Sequence, residues 1–281
     1  MRSHLNEEQL LEKSRQLRIN ILNMLTKAGS GHPGGSLSAI DIMGVLYNNV
    51  LRHDPKDPQW KERDRLILSK GHVCPALYAV LADCGYFHKD ELNSLRKYGS
   101  MLQGHPCMNK TPGVEVSGGS LGQGLSIATG IALGGRMNQE DFRVYCLMGD
   151  GEIQEGQIWE AAMAAGHYKL DHLCGIVDYN GIQIDGAVDE VMTINPCKEK
   201  WLAFNWNVIE VDGHEVLKVE EAFKQAEAYK GKPTVIIANT VKGKGVSFME
   251  NSAAWHGTAP DQKQLEEALS GLEAEKGVDS K

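Results

Sequence analysis

Residues 143–152 read Arg143-Val144-Tyr145-Cys146-Leu147-Met148-Gly149-Asp150-Gly151-Glu152, an apolar run that stops at two glycines flanking an acid. A short, nearly continuous apolar run ending in glycine is the pattern of a strand buried on both faces. Arg143–Met148 is therefore expected to be a strand. Downstream, the periodicity predicts a helix over Gln157–Tyr168 and strands over Leu173–Asp178 and Asn207–Val211. A helix over Val216–Ala228 and a strand over Thr234–Ala238 follow. Strands alternating with helices, each strand apolar throughout, imply an α/β fold: a parallel sheet covered by helices on both faces.

Upstream, residues 6–27 have helical spacing, with Asn6 and Gln9 placed to cap the start. A loop, Gly29-Ser30-Gly31-His32-Pro33-Gly34-Gly35-Ser36, precedes a helix expected from Ser38 to Leu51. Arg65–Leu68 suits a strand, runs into Ser69-Lys70-Gly71-His72, and is followed by a helix ending near Gly85. A short helix over Asp90–Tyr98, a loop over Gly99–Gly119 and a glycine-containing helix from near Leu121 complete the pattern. No repeat or linker divides the 281 residues, so one domain is expected, with a polar tail fraying from about residue 272. The region of Trp159, Met163 and Tyr168 reads as core packing.

The chain carries 29 Lys+Arg against 37 Asp+Glu, a net charge of −8. That balance disfavours nucleic acid and anionic membranes, whose binding rests on clustered cations. The longest uncharged stretch, Val116–Gly135, is rich in glycine and hydroxyl residues and reads as a buried helix with a glycine-rich entry. The N-terminus lacks an apolar signal core. Six cysteines without CxxC spacing read as reduced thiols of a cytoplasmic protein.

Gly149-Asp150-Gly151 falls at the carboxyl end of a strand, where doubly wound sheets bind ligands. Glycine lets backbone approach a phosphate, and the next helix can offer its amides to that anion. Asp150 would repel a phosphate unless a cation lay between them, which points to a divalent metal. Asn180 stands thirty positions on, at the end of the next strand. The two oxygen donors suit Mg²⁺, which takes part of its shell from phosphates. Either half alone could be an ordinary strand-to-helix turn; together they are more specific. His32, His72 and His105 each sit in a Gly- or Pro-containing loop (SGHPG, KGH, GHP), where compact backbone can set an imidazole beside a ligand. His256 is a fourth candidate. His4, His53, His88, His167, His172 and His214 read as structural. Lys242 reads equally well as a solvated loop charge.

GDG followed by Asn180 resembles the thiamine diphosphate-binding motif, and the flanking sequence resembles the transketolase family. The matching segments are Ser30-Gly31-His32-Pro33-Gly34, Ser69-Lys70-Gly71-His72, Gly104-His105-Pro106, Gly119-Ser120-Leu121-Gly122-Gln123-Gly124, Gln154-Glu155-Gly156 and Trp255-His256-Gly257. They run in the family's order from about residue 17 to 260. The resemblance implies a thiamine diphosphate-binding fold of the diphosphate-domain type. It implies that Asp150, the Asn180 side chain and the Ile182 carbonyl hold Mg²⁺, or Ca²⁺ or Mn²⁺ in its place. Gly119, Ser120, Leu121, Gly151, His72, Lys242 and His256 would contact the cofactor. His32, His72, His105 and His256 would line the substrate channel, and Glu155 would support a glutamate of the partner domain.

Only the first of the family's three domains is matched. The resemblance therefore implies the N-terminal subunit of a split transketolase, completed by a C-terminal subunit carrying the pyrimidine-binding domain. A heterotetramer with two copies of each chain is the simplest assembly. Its reaction would move a two-carbon ketol unit from a ketose to an aldose. Pentose phosphates, unusual sugars and sulfonated sugars all remain open as substrates. Two alternatives are the α subunit of a 2-oxo acid dehydrogenase, which the SGHPG, KGH, GHP and WHG set disfavours, and a non-catalytic thiamine diphosphate-binding protein, which would not need the channel histidines.

Overall fold

The computed structural model describes residues 4–276. Helix α1 (Glu7–Ala28) opens with the expected cap: the Gln9 amide donates to Asn6 Oδ1 and the Asn6 amide donates to Gln9 Oε1, each at 2.9 Å. It ends at Gly29, which takes the left-handed conformation (φ 64°) that a side chain would resist. Helix α2 (Pro33–Val45) starts five residues before the expected Ser38, because Pro33 suits the first turn of a helix. It closes in a π-helical turn, Leu46–Val50. Strand β1 (Arg65–Leu68) and helices α3 (Cys74–Cys84) and α4 (Gln123–Met137) follow. The stretch expected as a helix over Asp90–Tyr98 is a 3₁₀ segment, Lys89–Ser94.

Next come β2 (Val144–Gly149), α5 (Gly156–His167) and β3 (Leu173–Tyr179). A small hairpin, β4 (Ile182–Gln183) and β5 (Gly186–Ala187), leads into the short helices α6 (Val188–Met192) and α7 (Cys197–Ala203). Strand β6 (Asn207–Asp212), helix α8 (Val216–Ala228), strand β7 (Thr234–Asn239) and helix α9 (Gln262–Lys276) complete the order. Helix α9 reaches Lys276, into the start of the stretch expected to fray from about 272, and it buries Leu265, Ala268 and Leu272 in the core. Residues 277–281 lie outside the described residues.

The five-stranded sheet is parallel in the order β1-β2-β3-β7-β6. Alternate side chains feed two cores. Tyr145, Leu147, Cys174, Ile176 and Ile236 face α1, α2, α3, α8 and α9, whereas Cys146, Met148, Val177 and Ile237 face α4, α5 and α7. The chain leaves β3 for the far edge and returns through β7, so the strand order reverses between β3 and β7. The carboxyl ends of strands at such a switch point leave a crevice.

One packing expectation fails. Trp159 does lie against Trp201 and Phe204, but Met163 and Tyr168 are 60% and 45% exposed. Ile158, Ala161, Ala162 and Ala165 form the inward face of α5, which leaves Met163 on the outer one. Replacing the fully buried Ile176 by Ala should therefore lower unfolding free energy by about 2–5 kcal/mol. Met163→Ala should stay within about 0.5 kcal/mol of wild type. Urea unfolding of the two variants checks the contrast, and an equal loss from both would contradict the assigned faces.

Candidate active site

Asp150 follows β2 directly and Asn180 follows β3, and the two strands pair with Gly149 opposite Asp178. Both side chains are buried. Asp150 Oδ1 accepts the Gly151 amide at 2.8 Å and Oδ2 accepts the Gly181 amide at 2.5 Å. Asn180 Oδ1 accepts the Ile182 amide at 3.2 Å, which turns the Ile182 carbonyl into the site, where Lys242 Nζ donates to it at 2.9 Å. Burial pushes the Asp150 carboxyl up to about 6, and the neighbouring Asp178 adds to the rise against the pull of Lys70 and the two amides. A buried carboxylate lacking an ion-pair partner is costly and is relieved by a cation. Among the described residues no three His, Cys, Asp or Glu side chains cluster as a metal site. A cation here would therefore be held by carboxylate, amide and carbonyl oxygens and would need further oxygens from a ligand. That donor set fits Mg²⁺ with a phosphate.

Two further buried carboxylates hold the loops around this spot. Asp178, fully buried on β3, accepts Lys70 Nζ at 2.7 Å, Ser38 Oγ at 2.6 Å and the Thr240 hydroxyl. Burial alone would raise its pKa, but the Lys70 charge and these three hydrogen bonds outweigh it and keep the carboxyl below its ordinary value. Glu152 Oε1 accepts Ser69 Oγ at 2.5 Å and the Gly122 amide at 3.0 Å, and Oε2 accepts the Gly149 amide at 3.0 Å. Burial raises Glu152. The loop bearing Gly119, Ser120 and Leu121 is thereby tied to both the GDG turn and the Ser69-Lys70-Gly71-His72 loop. Gly71 is required there, because a Cβ would lie 2.8 Å from the Gly119 nitrogen.

His32, His72 and His256, far apart in sequence, gather with ring centroids 5.2–5.5 Å apart. His256 Nδ1 accepts Lys242 Nζ at 2.9 Å. His32 Nδ1 is buried with no partner. Burial lowers all three, His32 to about 4, His256 to about 3 and His72 to about 2, with nearby Arg96, Lys242 and Lys70 respectively adding to the effect. Lys242 itself is 2% exposed and lowered to about 8 by burial and by Lys70, so it is a buried site cation rather than a solvated loop charge. His105 is exposed and packed against Gly119, and its charge also disfavours protonation of His32. Ser120, Leu121 and Glu155 lie on the exposed rim, where the Glu155 stem packs on Gly122. Gly151 lies beside Gln183 of the hairpin.

Sequence reasoning passed over Lys70, Asp178 and Glu152, although each stands inside a quoted segment. It also passed over Arg96, whose guanidinium lies against Gly104 next to His105. No local signal marks these residues, since their partners come from other loops. Of the histidines read as structural, His53 bonds the Tyr47 carbonyl and the Tyr86 hydroxyl, His4 meets Glu220, and His172 bonds the Phe142 carbonyl.

The depressed imidazoles set a pH dependence. As pH falls below 6.5 the unfolded chain takes up protons at these three positions, while the folded chain does not until about 4 and below. The unfolded state then binds more protons, so stability rises with pH across this window and is lost on acidification. Asp150, up to about 6, and Glu152, also raised by burial, act in the opposite sense, but three imidazoles outweigh two carboxylates. Thermal midpoints should fall between pH 6.5 and 4, and ¹⁵N spectra should show neutral rings for His32, His72 and His256 at pH 5.5. Titration of these rings near 6.5 would contradict the burial seen here.

The family model described as transketolase, thiamine diphosphate binding domain, matches residues 7–276. The chain is 45% identical over 265 residues to the 6-deoxy-6-sulfo-D-fructose transketolase subunit SqwG of Clostridium sp. (strain MSTE9), covering 92% of this chain and 96% of that one. It is 41% identical to an apulose-4-phosphate transketolase subunit of Phocaeicola vulgatus, covering 93% of each. It is 42% identical to rat transketolase over 92% of this chain, but spans only 41% of that protein. Among solved structures, transketolase of Campylobacter jejuni superposes with a TM-score of 0.91 at 36% identity, over 96% of this chain and 43% of that one. No helix among the described residues is long and apolar enough to cross a membrane. The chain belongs to the transketolase family, and it corresponds to that family's thiamine diphosphate-binding domain.

Proposed function

We propose that this chain is the diphosphate-binding subunit of a two-chain transketolase, which moves a two-carbon ketol unit from a ketose to an aldose. The observation that carries this reading is the buried Asp150 carboxylate, bonded only to two amides, beside Asn180 and the Ile182 carbonyl, which Lys242 links to His256. Asp150, Asn180 and the Ile182 carbonyl hold a divalent metal, preferably Mg²⁺. Gly151, the Gly119–Leu121 segment, His72, His256 and Lys242 surround thiamine diphosphate. When bound, that cofactor supplies a nucleophilic carbon and an electron sink for cleavage beside a ketone. Lys242 compensates diphosphate charge, and the depressed histidines present neutral rings that can donate to or accept from sugar hydroxyls near pH 7. His105 and Arg96, at the exposed side, meet the donor sugar. Relatives named for a sulfo-ketose and for a phosphorylated ketose support a donor with an anionic end, for which Arg96 is a suitable partner.

Leu121 and Glu155 on the rim face a second chain carrying the pyrimidine-binding domain, and Glu155 supports that chain's activating glutamate. Exposed Leu121, Ile184, Val191 and Met192 support such a partner. Gln154 ties the rim to the hairpin and α6 through Gln183 and the Met192 carbonyl. An exposed apolar group of this kind commonly marks an interface. Two copies of each chain about a two-fold axis form the simplest complex. The six free cysteines fit a cytoplasmic location, where thiols stay reduced.

Three measurements test this. Calorimetry with Mg²⁺ and thiamine diphosphate should show Asp150→Ala losing more than about 100-fold in cofactor affinity, and equal affinity would remove the metal assignment. In the assembled complex at saturating cofactor, His105→Ala should cost about 10²-fold in kcat/KM for the ketose and leave cofactor binding nearly unchanged. The purified chain alone should transfer no two-carbon units, with activity arising on addition of a chain bearing the pyrimidine domain. Full transfer by the isolated chain would refute the division of labour.

A further inference from the structure

We infer that Arg18, Asp41 and His214 form a buried brace whose task is to position Lys242, so that His214 is a positioning residue for the cofactor site. The inference rests on the function proposed above. Asp41 lies within α2 and is 3% exposed. Arg18 of α1 grips it with both terminal nitrogens, Nη1 to Oδ1 at 2.8 Å and Nη2 to Oδ2 at 2.5 Å. His214, in the turn between β6 and α8, places Nδ1 2.7 Å from Asp41 Oδ2, and its Nε2 accepts the Val241 amide at 2.8 Å. An Nε2 that accepts a backbone N–H carries no proton, so the ring proton sits on Nδ1 and is donated to Asp41. The carboxylate thereby fixes the tautomer that the Val241 amide needs.

Both arms of the brace end on one turn. His214 takes the amide of Val241, and Arg18 Nε donates to the carbonyl of Lys244 at 3.1 Å. Between these anchors lies Lys242, whose side chain packs on Gly34 and whose Nζ reaches the Ile182 carbonyl and His256 Nδ1, each at 2.9 Å. The Gly243 amide bonds the Gly34 carbonyl at 3.0 Å. An ion pair serving only to join α1 to α2 would be complete with Arg18 and Asp41. The His214 link to Val241 adds nothing to that joint and instead fixes the backbone one residue before Lys242. Losing it would leave a buried amide without an acceptor and free a buried amine whose placement is set by its backbone. Misplacement by about 1 Å is enough to weaken a preorganised site.

The test uses the assembled two-chain complex and measures thiamine diphosphate affinity by calorimetry at saturating Mg²⁺. His214→Leu should weaken binding about tenfold, and His214→Gln, which keeps a donor and an acceptor on one planar group, should recover most of it. In a Lys242→Ala background His214→Leu should cost nothing further. Full affinity in His214→Leu, or an equal added loss in the Lys242→Ala background, overturns the inference. If His214→Leu fails to fold, His214→Asn replaces it, since Asn is too short to span Asp41 and Val241; equal binding by the Asn and Gln variants is then the overturning result. Hydrogen exchange of residues 240–245 without cofactor keeps this test separate from the functional proposal. Exchange should quicken in the Leu or Asn variant and be restored by Gln, and unchanged exchange overturns the brace even if wild type binds no thiamine diphosphate.

Discussion

The contact between Asp178 and Lys70 is the constraint on which the rest of the site depends. Asp178 sits near the end of the central strand with no exposed surface, at the point where the strand order reverses. A buried ion pair is tolerable only when its remaining hydrogen-bonding capacity is used, and here Ser38 and Thr240 complete the carboxylate. One side chain therefore locks three elements onto the end of β3: the loop bearing His72, the first turns of α2 behind His32, and the exit from β7 that leads to Lys242. Removing Lys70 would strand a charge inside the protein and release all three together.

The distribution of charge around this hub supports the proposed binding of an anion bearing a metal. Asp178 is spent on Lys70, and the Glu152 oxygens accept Ser69 and two amides. Asp150 accepts only the amides of Gly151 and Gly181, while Lys242 donates to the Ile182 carbonyl and to the neutral His256. The imidazoles stay uncharged because burial and the two lysines disfavour protonation. A cation beside Asp150 and a polyanion beside Lys242 satisfy both residual charges at once.

The rim differs in character from the floor. Asp150, Asn180, Asp178, Glu152, Lys70 and Lys242 on the floor are buried, whereas Leu121, Glu155 and His105 are exposed, and Ile184 and Met192 extend an apolar margin. Such a boundary is suited to closure by another surface, because exposed apolar area gains most from burial while the prearranged floor loses no further freedom.

Much of this was legible from sequence. The four strands of the parallel sheet after residue 140 and most long helices follow from periodicity, because a strand or helix is written in residues that are near neighbours along the chain. The β4–β5 hairpin was not foreseen. The glycine-flanked Asp150 and the later Asn180 are legible for the same reason, each being a local turn at a strand end. The helical start at Pro33, the 3₁₀ segment at Lys89 and the outward face of α5 were not, since tertiary packing decides them. The gathering of His32, His72 and His256 and the brace on Lys242 belong wholly to the fold. Ser38 meets Asp178 across 140 positions and Arg18 meets Lys244 across 226. Sequence named some of the chemical groups; only the packing of strands, helices and loops could decide which of them meet, because hydrogen bonds act over a few ångströms of space and carry no memory of distance along the chain.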